Sequence, residues 1–460
     1  MSPAAPQRSR LLLPVFFGTW AAAIALAPSL PAKALLAAPA IFIPLTLWTI
    51  HRPARWIAAF FAAALLLPPL PIPIGDSGPH PCLFFAAVGL FAGLLWLPEW
   101  RIPASSLSLA FVSLFGLLLA SVAPAAFNSG AEAAAGSLAR VALFGISVYI
   151  FFYTAHGPED APPSISLLYW IAVASALFAC IDFYFQFPAP AGFGPQFVWL
   201  DTGVYRRAQG IFYEASTLGN FCAFFLVMIA VALSCPRPAS PLPRKALLAG
   251  GAVFFAALVL SYSRASLLNV LVSLVVLAWI HRRRLRLSRI FSLAASVAAA
   301  TWLTWRIFPA FADMYWRRLS GSTEFFFTAT EGILSGRVAS WRTLVDWISV
   351  HPWQTLIGIG YKTLPYSDYL GGPVVADNMY LSLLVETGIA GLAAFLWLNT
   401  AILRASARAA RSTHARTSFF GAWMLCFWTG QMVQMFSGDL LTYWRVLPLY
   451  FWVLALAVRA

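Results

Sequence analysis

Apolar runs of membrane-spanning length recur along the chain, separated by short polar stretches. They fall at 11–30, 34–50, 56–70, 82–97, 105–123, 138–155, 165–186, 215–234, 246–262, 264–280, 288–308, 377–403, 416–435 and 440–458. This pattern predicts an all-α fold, a polytopic transmembrane helix bundle of about 12–14 spans, some tilted or partly interfacial. The stretch 250–280 is the most telling, because Arg264 is its only charge. As one straight helix it would run about 46 Å, against a hydrocarbon core of roughly 30 Å. The chain must therefore break and turn back, and the polar cluster Ser261-Tyr262-Ser263-Arg264-Ala265-Ser266 is where it can do so. That turn puts Arg264 at a membrane surface, between two helices.

Two long segments lack spanning character, 187–214 and 309–376. Within the second, Trp341, Leu344, Val345 and Ile348 recur at helical spacing and are followed by His351-Pro352. That predicts an amphipathic helix stopped at the proline, lying in the interface or packed on the ends of the spans. The first six spans are nearly featureless, and polar residues concentrate after position 180. We therefore expect a scaffold of transmembrane helices over 1–186 and a working region over 187–460, which includes the loop 309–376. No internal repeat is evident.

Composition supports the membrane reading. Hydrophobic residues make up 61% of the chain and charged residues 10%, where a soluble domain has about 25% charged. The formal charge of +14 sits in short loops between apolar runs. That is the arrangement of orientation signals, and it argues against a nucleic-acid partner. One set of loops carries Arg8, Arg10, Arg52, Arg55, Arg101, Arg237, Arg244, Lys245, the basic run 281–286, Arg404, Arg408, Arg411 and Arg416. It outnumbers the opposite set by about two to one, which makes the termini cytoplasmic and turns 187–214, 309–376 and Arg264 outward. At the N-terminus, Ala32-Lys33-Ala34 imitates a cleavage site, but the run before it suits an uncleaved first span. The five cysteines are scattered, without metal-ligand spacing, and carry no redox information.

Charges near the outer ends of the spans form a set: Arg140, Asp182, Arg206, Arg207, Glu214, Arg264, Arg306, Arg337 and Asp377. Few ionisable residues are expected near mid-depth, the clearest being Glu386, nine residues into a helix starting at Asp377. Ion-coupled carriers need titratable groups at that depth, so their scarcity counts against transport. Several guanidiniums at one interface suit a phosphate-bearing ligand whose tail stays in lipid. No Asp-x-Asp metal motif, phosphate loop, catalytic triad or zinc spacing can be assembled, which points to chemistry without metal or cofactor.

Three short patterns narrow the reading. They are Arg206-Arg207-Ala-Gln-Gly210-Ile-Phe212-Tyr-Glu214-Ala-Ser216, then Ser263-Arg264, then the series from Gly336-Arg337 through Trp341, His351-Pro352 and Gly358-Ile-Gly360-Tyr361 to Asp377-Asn378-Met379-Tyr380-Leu381 and Glu386-Thr-Gly388. Over roughly 200–450 the chain resembles the O-antigen ligase and O-antigen polymerase superfamily of membrane glycosyltransferases. The resemblance implies glycan transfer from undecaprenyl pyrophosphate on the periplasmic side of the inner membrane, without cofactor or metal and with inversion at the anomeric carbon. Ligases pass the glycan to lipid A-core, whereas polymerases pass it to another carrier-linked unit, with a chain-length regulator protein as a further partner. Arg207, Arg264 and Arg337 match the family's arginines by position and would bind the diphosphate. Arg264 would also take part in catalysis, with Asp377 or Glu214 orienting or deprotonating the acceptor hydroxyl, and Arg206, Asn378, Tyr380 and Glu386 in support. Glu386 is expected to face away from Asp377 and to bond a neighbouring helix. Family ligases carry His-Asn-x-Tyr-Leu where this chain has Asp377-Asn378-Met379-Tyr380-Leu381, a departure that favours polymerisation. The rival from another class is a lipid-linked oligosaccharide flippase or polysaccharide exporter. Such a carrier would line a deep cavity with cations instead of crowding them at one face.

Overall fold

The structure, a computed structural model, describes residues 8–50, 55–70, 72, 78–157, 164–188, 194–200, 203–234, 242–282, 302, 305–307, 309, 312–317, 320 and 337–459. The expected span 288–308 lies largely outside these residues. Seven helices come first: α1 (Arg8–Leu26), α2 (Leu30–Ile50), α3 (Arg55–Leu66), α4 (Cys82–Leu95), α5 (Ser106–Ala120), α6 (Val122–His156) and α7 (Ile165–Phe185). A hairpin follows, β1 (Phe197–Leu200) and β2 (Gly203–Arg206), antiparallel with Leu200 opposite Gly203. Then come α8 (Ala215–Ser234), α9 (Arg244–Leu260), α10 (Arg264–Ile280), α11 (Arg337–Val350) and α12 (Pro352–Ile357). The chain closes with α13 (Met379–Ala410), α14 (Ala415–Gln434) and α15 (Leu447–Val458). Apart from the hairpin the described fold is all-α.

Among the described residues, four helical stretches are long and apolar enough to cross a membrane: Ser106–His156, Ile165–Phe185, Ala215–Ser234 and Met379–Ala410. Shorter apolar helices, including Arg55–Leu66, Cys82–Leu95, Arg264–Ile280 and Leu447–Val458, fill other expected spans. The predicted break in 250–280 is present. α9 ends at Leu260, and Ser263 caps α10 by accepting from the Ser266 N–H. Such a cap satisfies a backbone donor that the first helical turn leaves without a partner.

Three boundaries differ from expectation, each for a local reason. The helix expected at 138–155 is only the second part of α6, which starts at Val122 and is broken at Gly130 (φ 86°). The helix expected from 377 starts at Met379, runs to Ala410 and is broken at Gly388 (φ 71°). The run 440–458 becomes α15 only at Leu447, after a short 3₁₀ turn (Leu440–Thr442). That irregular segment carries Asp439 and Tyr443, so a polar stretch that looked like the start of a span belongs to the loops.

α15 is buried from Leu447 to Ala457 and apolar all round, as befits a helix enclosed by others. It packs against α6 and α14, and α14 packs between α10 and α13. At this junction lies a buried amide cluster. Asn220 and Asn269 each donate to both Gln431 and Gln434, Tyr450 donates to Asn220, and Gln434 donates to Ser266. Buried polar groups away from water need such partners, and here they tie α8, α10, α14 and α15 together directly below the Ser263–Arg264 turn.

Connectivity assigns the ends of the bundle. α8, α10, α13 and α15 start at the end that holds residues 207–214, 261–264, 358–378 and 435–446. They run away from it, so Arg282, Arg404, Arg408 and Arg411, with Arg244, Lys245 and Arg416, gather at the opposite end.

Candidate functional site

The site is built on one backbone joint. After β2 the chain turns against the end of α9, where the Ala208 N–H donates to the Leu260 carbonyl at 2.9 Å. Arg207 adds a side-chain bond, from Nε to the Ser261 carbonyl at 2.9 Å. Two segments more than fifty positions apart are thereby joined, and the second opens directly into Arg264. From the other side Arg337, the first residue of α11, bonds Asp377 from Nε at 2.9 Å.

The three arginines expected to act together do come together. The charges of Arg264 and Arg337 both act on Arg207, and that of Arg337 acts on Arg264. Burial, above all, lowers the pKa of Arg207, opposed by Tyr443 and Glu214 and reinforced by Arg337 and Arg264. Like charges repel, so three guanidiniums within mutual reach are held by the fold and not by their own preference. Such a gathering is also what an anion would relieve.

Carboxylates line the other side. Glu214 closes the loop before α8 and accepts from the Ser216 hydroxyl at 2.7 Å. Asp377 sits at φ 44°, a left-handed conformation uncommon for a residue with a side chain. It is pinned on both flanks. Trp341 donates to the Ala376 carbonyl at 2.6 Å, and Asn378 caps α13 by accepting from the Tyr380 and Leu381 N–H groups. Trp341 and Leu344 thus seat α11 on the apolar cluster of Leu344, Ile359, Leu364, Ala376 and Val385, with Ile348 partly covered. Val345, expected on the same face, is 54% exposed. The predicted stop holds, with α11 ending at Val350 and α12 starting at Pro352, while His351 stacks on Trp347.

Two expectations need correction. Glu386 does not bond a neighbouring helix. Two residues before the break at Gly388, its carboxylate accepts from the Leu364 N–H at 3.3 Å and its carbonyl from Gly360 at 2.9 Å. The break frees carbonyls of α13 to hold the 358–364 loop, as unwound membrane helices do where another chain segment re-satisfies them. A Cβ on Gly388 would press into the Leu356 carbonyl, and one on Gly358 into that of Glu386, so both positions need glycine. Arg206 and Tyr380 point away from the cluster. Arg206 pairs with buried Asp182 at 3.2 Å, and the Tyr380 hydroxyl bonds the Met432 carbonyl at 2.9 Å, so Tyr380 fastens α13 to α14. Of the remaining outer charges, Arg140 bonds Tyr366 at 2.8 Å, and Arg306 lines a separate cleft with Trp302 and Trp305.

Sequence reading missed three members. Lys362, buried and left-handed at φ 58°, bonds Asp439 through Nζ, and the charges of Glu386, Glu214 and Asp377 act on it. Burial lowers its pKa to about 8, against the pull of Glu386. Tyr443, hydrogen-bonded to Ser216, lies within electrostatic reach of Glu214, Asp377 and Arg337. The one available signal was Asp439 itself, the single acid between the last two apolar runs.

Fold and site together define an all-helical polytopic membrane protein with a charged site assembled from loops at one end of its bundle. A family model described as O-Antigen ligase matches residues 249–396, from within α9 to within α13. Over that stretch the chain is similar to the O-antigen ligase and polymerase superfamily, and the match does not separate ligase from polymerase. The matched region includes Arg264, Arg337, Lys362, Asp377 and Glu386, whereas Arg207, Glu214, Asp439 and Tyr443 lie outside it. No curated protein matches the chain.

Proposed function

We propose that this protein polymerises carrier-linked glycan units, transferring a growing chain from undecaprenyl pyrophosphate at the periplasmic face of the bacterial inner membrane. The observation that carries the proposal is the meeting of Arg207, Arg264 and Arg337 from three distant segments. As the anomeric C–O bond breaks, negative charge grows on the departing diphosphate. Guanidiniums already fixed around that position stabilise the charge without reorganising, which is usually the largest single catalytic effect. The diphosphate thus meets side-chain cations and needs no metal. The acceptor hydroxyl attacks from the opposite face and inverts the centre, and its proton passes to a carboxylate, Asp377 or Glu214. Orientation follows from the charge tally: the basic loops gather at the far end of the bundle, so this end faces out.

The experiment is a knockout with analysis of surface glycan. Loss of long chains, with single units still attached to lipid A-core, supports polymerisation. Long carrier-linked chains accumulating beside bare core support ligation instead. The Asp377-for-His departure is what tips us to the polymerase. Loss of a flippase or exporter would instead leave carrier-linked glycan inside the cell, with neither product formed.

A further inference from the structure

Next to the arginine site, and separated from it only by the chain that builds it, is a cleft of ≈ 370 Å³. Phe183, Tyr184 and Gln186 from the end of α7, Tyr205 and Arg206 from β2, and Tyr262 line it. Its volume is at the small end of the range for ligand pockets, about 300–1,000 Å³. Arg206, the last residue of β2, bonds Asp182 and lines this cleft, while Arg207, just beyond the strand, bonds the Ser261 carbonyl. Tyr262 likewise precedes the Ser263–Arg264 pair. Whatever occupies the cleft therefore lies a residue or two from the diphosphate site.

We propose that this cleft binds the glycan of the carrier-linked donor, an inference that rests on the function proposed above. A pyranose ring shows a C–H face and a rim of hydroxyls. Tyrosine and phenylalanine rings meet the first through their electron-rich faces, and planar charged groups meet the second. The cleft supplies both, with three tyrosines and a phenylalanine around the planar Arg206 guanidinium, which buried Asp182 holds from behind. Moreover, the Arg206 Nε–H is buried and has no hydrogen-bond partner among the described residues, a donor that a sugar hydroxyl would satisfy. Gln186 adds an amide at the rim.

The test uses the full-length protein in nanodiscs and three probes. These are bare undecaprenyl diphosphate, undecaprenyl diphosphate carrying the producing strain's repeat unit, and that oligosaccharide freed by mild acid. Wild type is expected to bind the glycosylated carrier about tenfold more tightly than the bare carrier, a factor worth about 1.4 kcal/mol. Tyr184→Ala, at a position 79% exposed and so safe for folding, removes that advantage and leaves bare-carrier binding unchanged. Arg206→Lys keeps the charge opposite Asp182 but loses the Nε donor, and reduces the same advantage. Equal wild-type binding of both carriers overturns the proposal, as does an advantage that survives Tyr184→Ala. Free oligosaccharide that still binds when the carrier is saturating, and is lost in Tyr184→Ala, assigns the cleft to the acceptor and also overturns it. Arg207→Ala separately tests the reading beneath. It should weaken both carriers alike, and if it weakens neither, the diphosphate assignment fails while the glycan increment still judges the cleft.

Discussion

Arg207 donates from Nε to the carbonyl of Ser261 at 2.9 Å, so the loop leaving the hairpin and the turn opening α10 move as one piece. Arg264 is three residues beyond that carbonyl, and the backbone bond from the Ala208 N–H to the Leu260 carbonyl fixes the same joint a second time. Pre-organisation of this kind is what makes fixed cations effective against charge that appears only in the transition state.

Asp377 is held by Arg337 at 2.9 Å, with both partners partly exposed. Exposed ion pairs add little to stability, about 0–1 kcal/mol, so the pair's value is to aim the carboxylate. Asp377→Asn is expected to leave melting nearly unchanged and to lower kcat by about 10²–10⁴, the usual range for a lost general base. Steady-state kinetics beside a thermal melt in detergent checks it, and unchanged kcat would move the proton to Glu214.

Lys362 gives a pH prediction. Burial lowers its pKa to about 8, so the ammonium that bonds Asp439 is present below that pH and lost above it. Activity should therefore fall as pH rises through about 8. Lys362→Arg, whose charge persists, should flatten that limb. A pH–rate profile of both proteins decides, and an identical alkaline limb in the variant would clear Lys362 of the effect.

Gly388→Ala and Gly358→Ala each force a Cβ against a carbonyl at a left-handed position. Each should destabilise the outer loop by about 1–3 kcal/mol. The expected readout is faster proteolysis between 358 and 378 with the rest of the bundle intact. Wild-type resistance in both would mean that the break in α13 is not what holds the loop.

Much of this was legible in the apolar pattern. The break at 261–263 follows from a run too long for one crossing, and the seat of α11 from the spacing of Trp341, Leu344 and Ile348. Glycines are common in membrane helices, so the run from 377 gave no hint that Gly388 breaks it. Without that break, Glu386 could not reach the 362–364 backbone. The hairpin went unseen because two four-residue strands inside a loop leave almost no periodic signal. Lys362 and Asp439 escaped because their bond joins residues 77 positions apart, one in a loop and one at the edge of an apparent span. The meeting of Arg207, Arg264 and Arg337 was expected from the resemblance, and the fold brings the three within electrostatic range of one another.

Glycan transfer from a purified undecaprenyl-diphosphate donor, comparing wild type with Arg207→Ala, Arg264→Ala and Arg337→Ala, reads the role of the three guanidiniums. Each loss is expected to cost about 3–4 kcal/mol, or two to three decades in rate, and lysine at the same positions should not restore it. Wild-type rates with lysine at all three positions would mean that the guanidiniums do not hold the diphosphate.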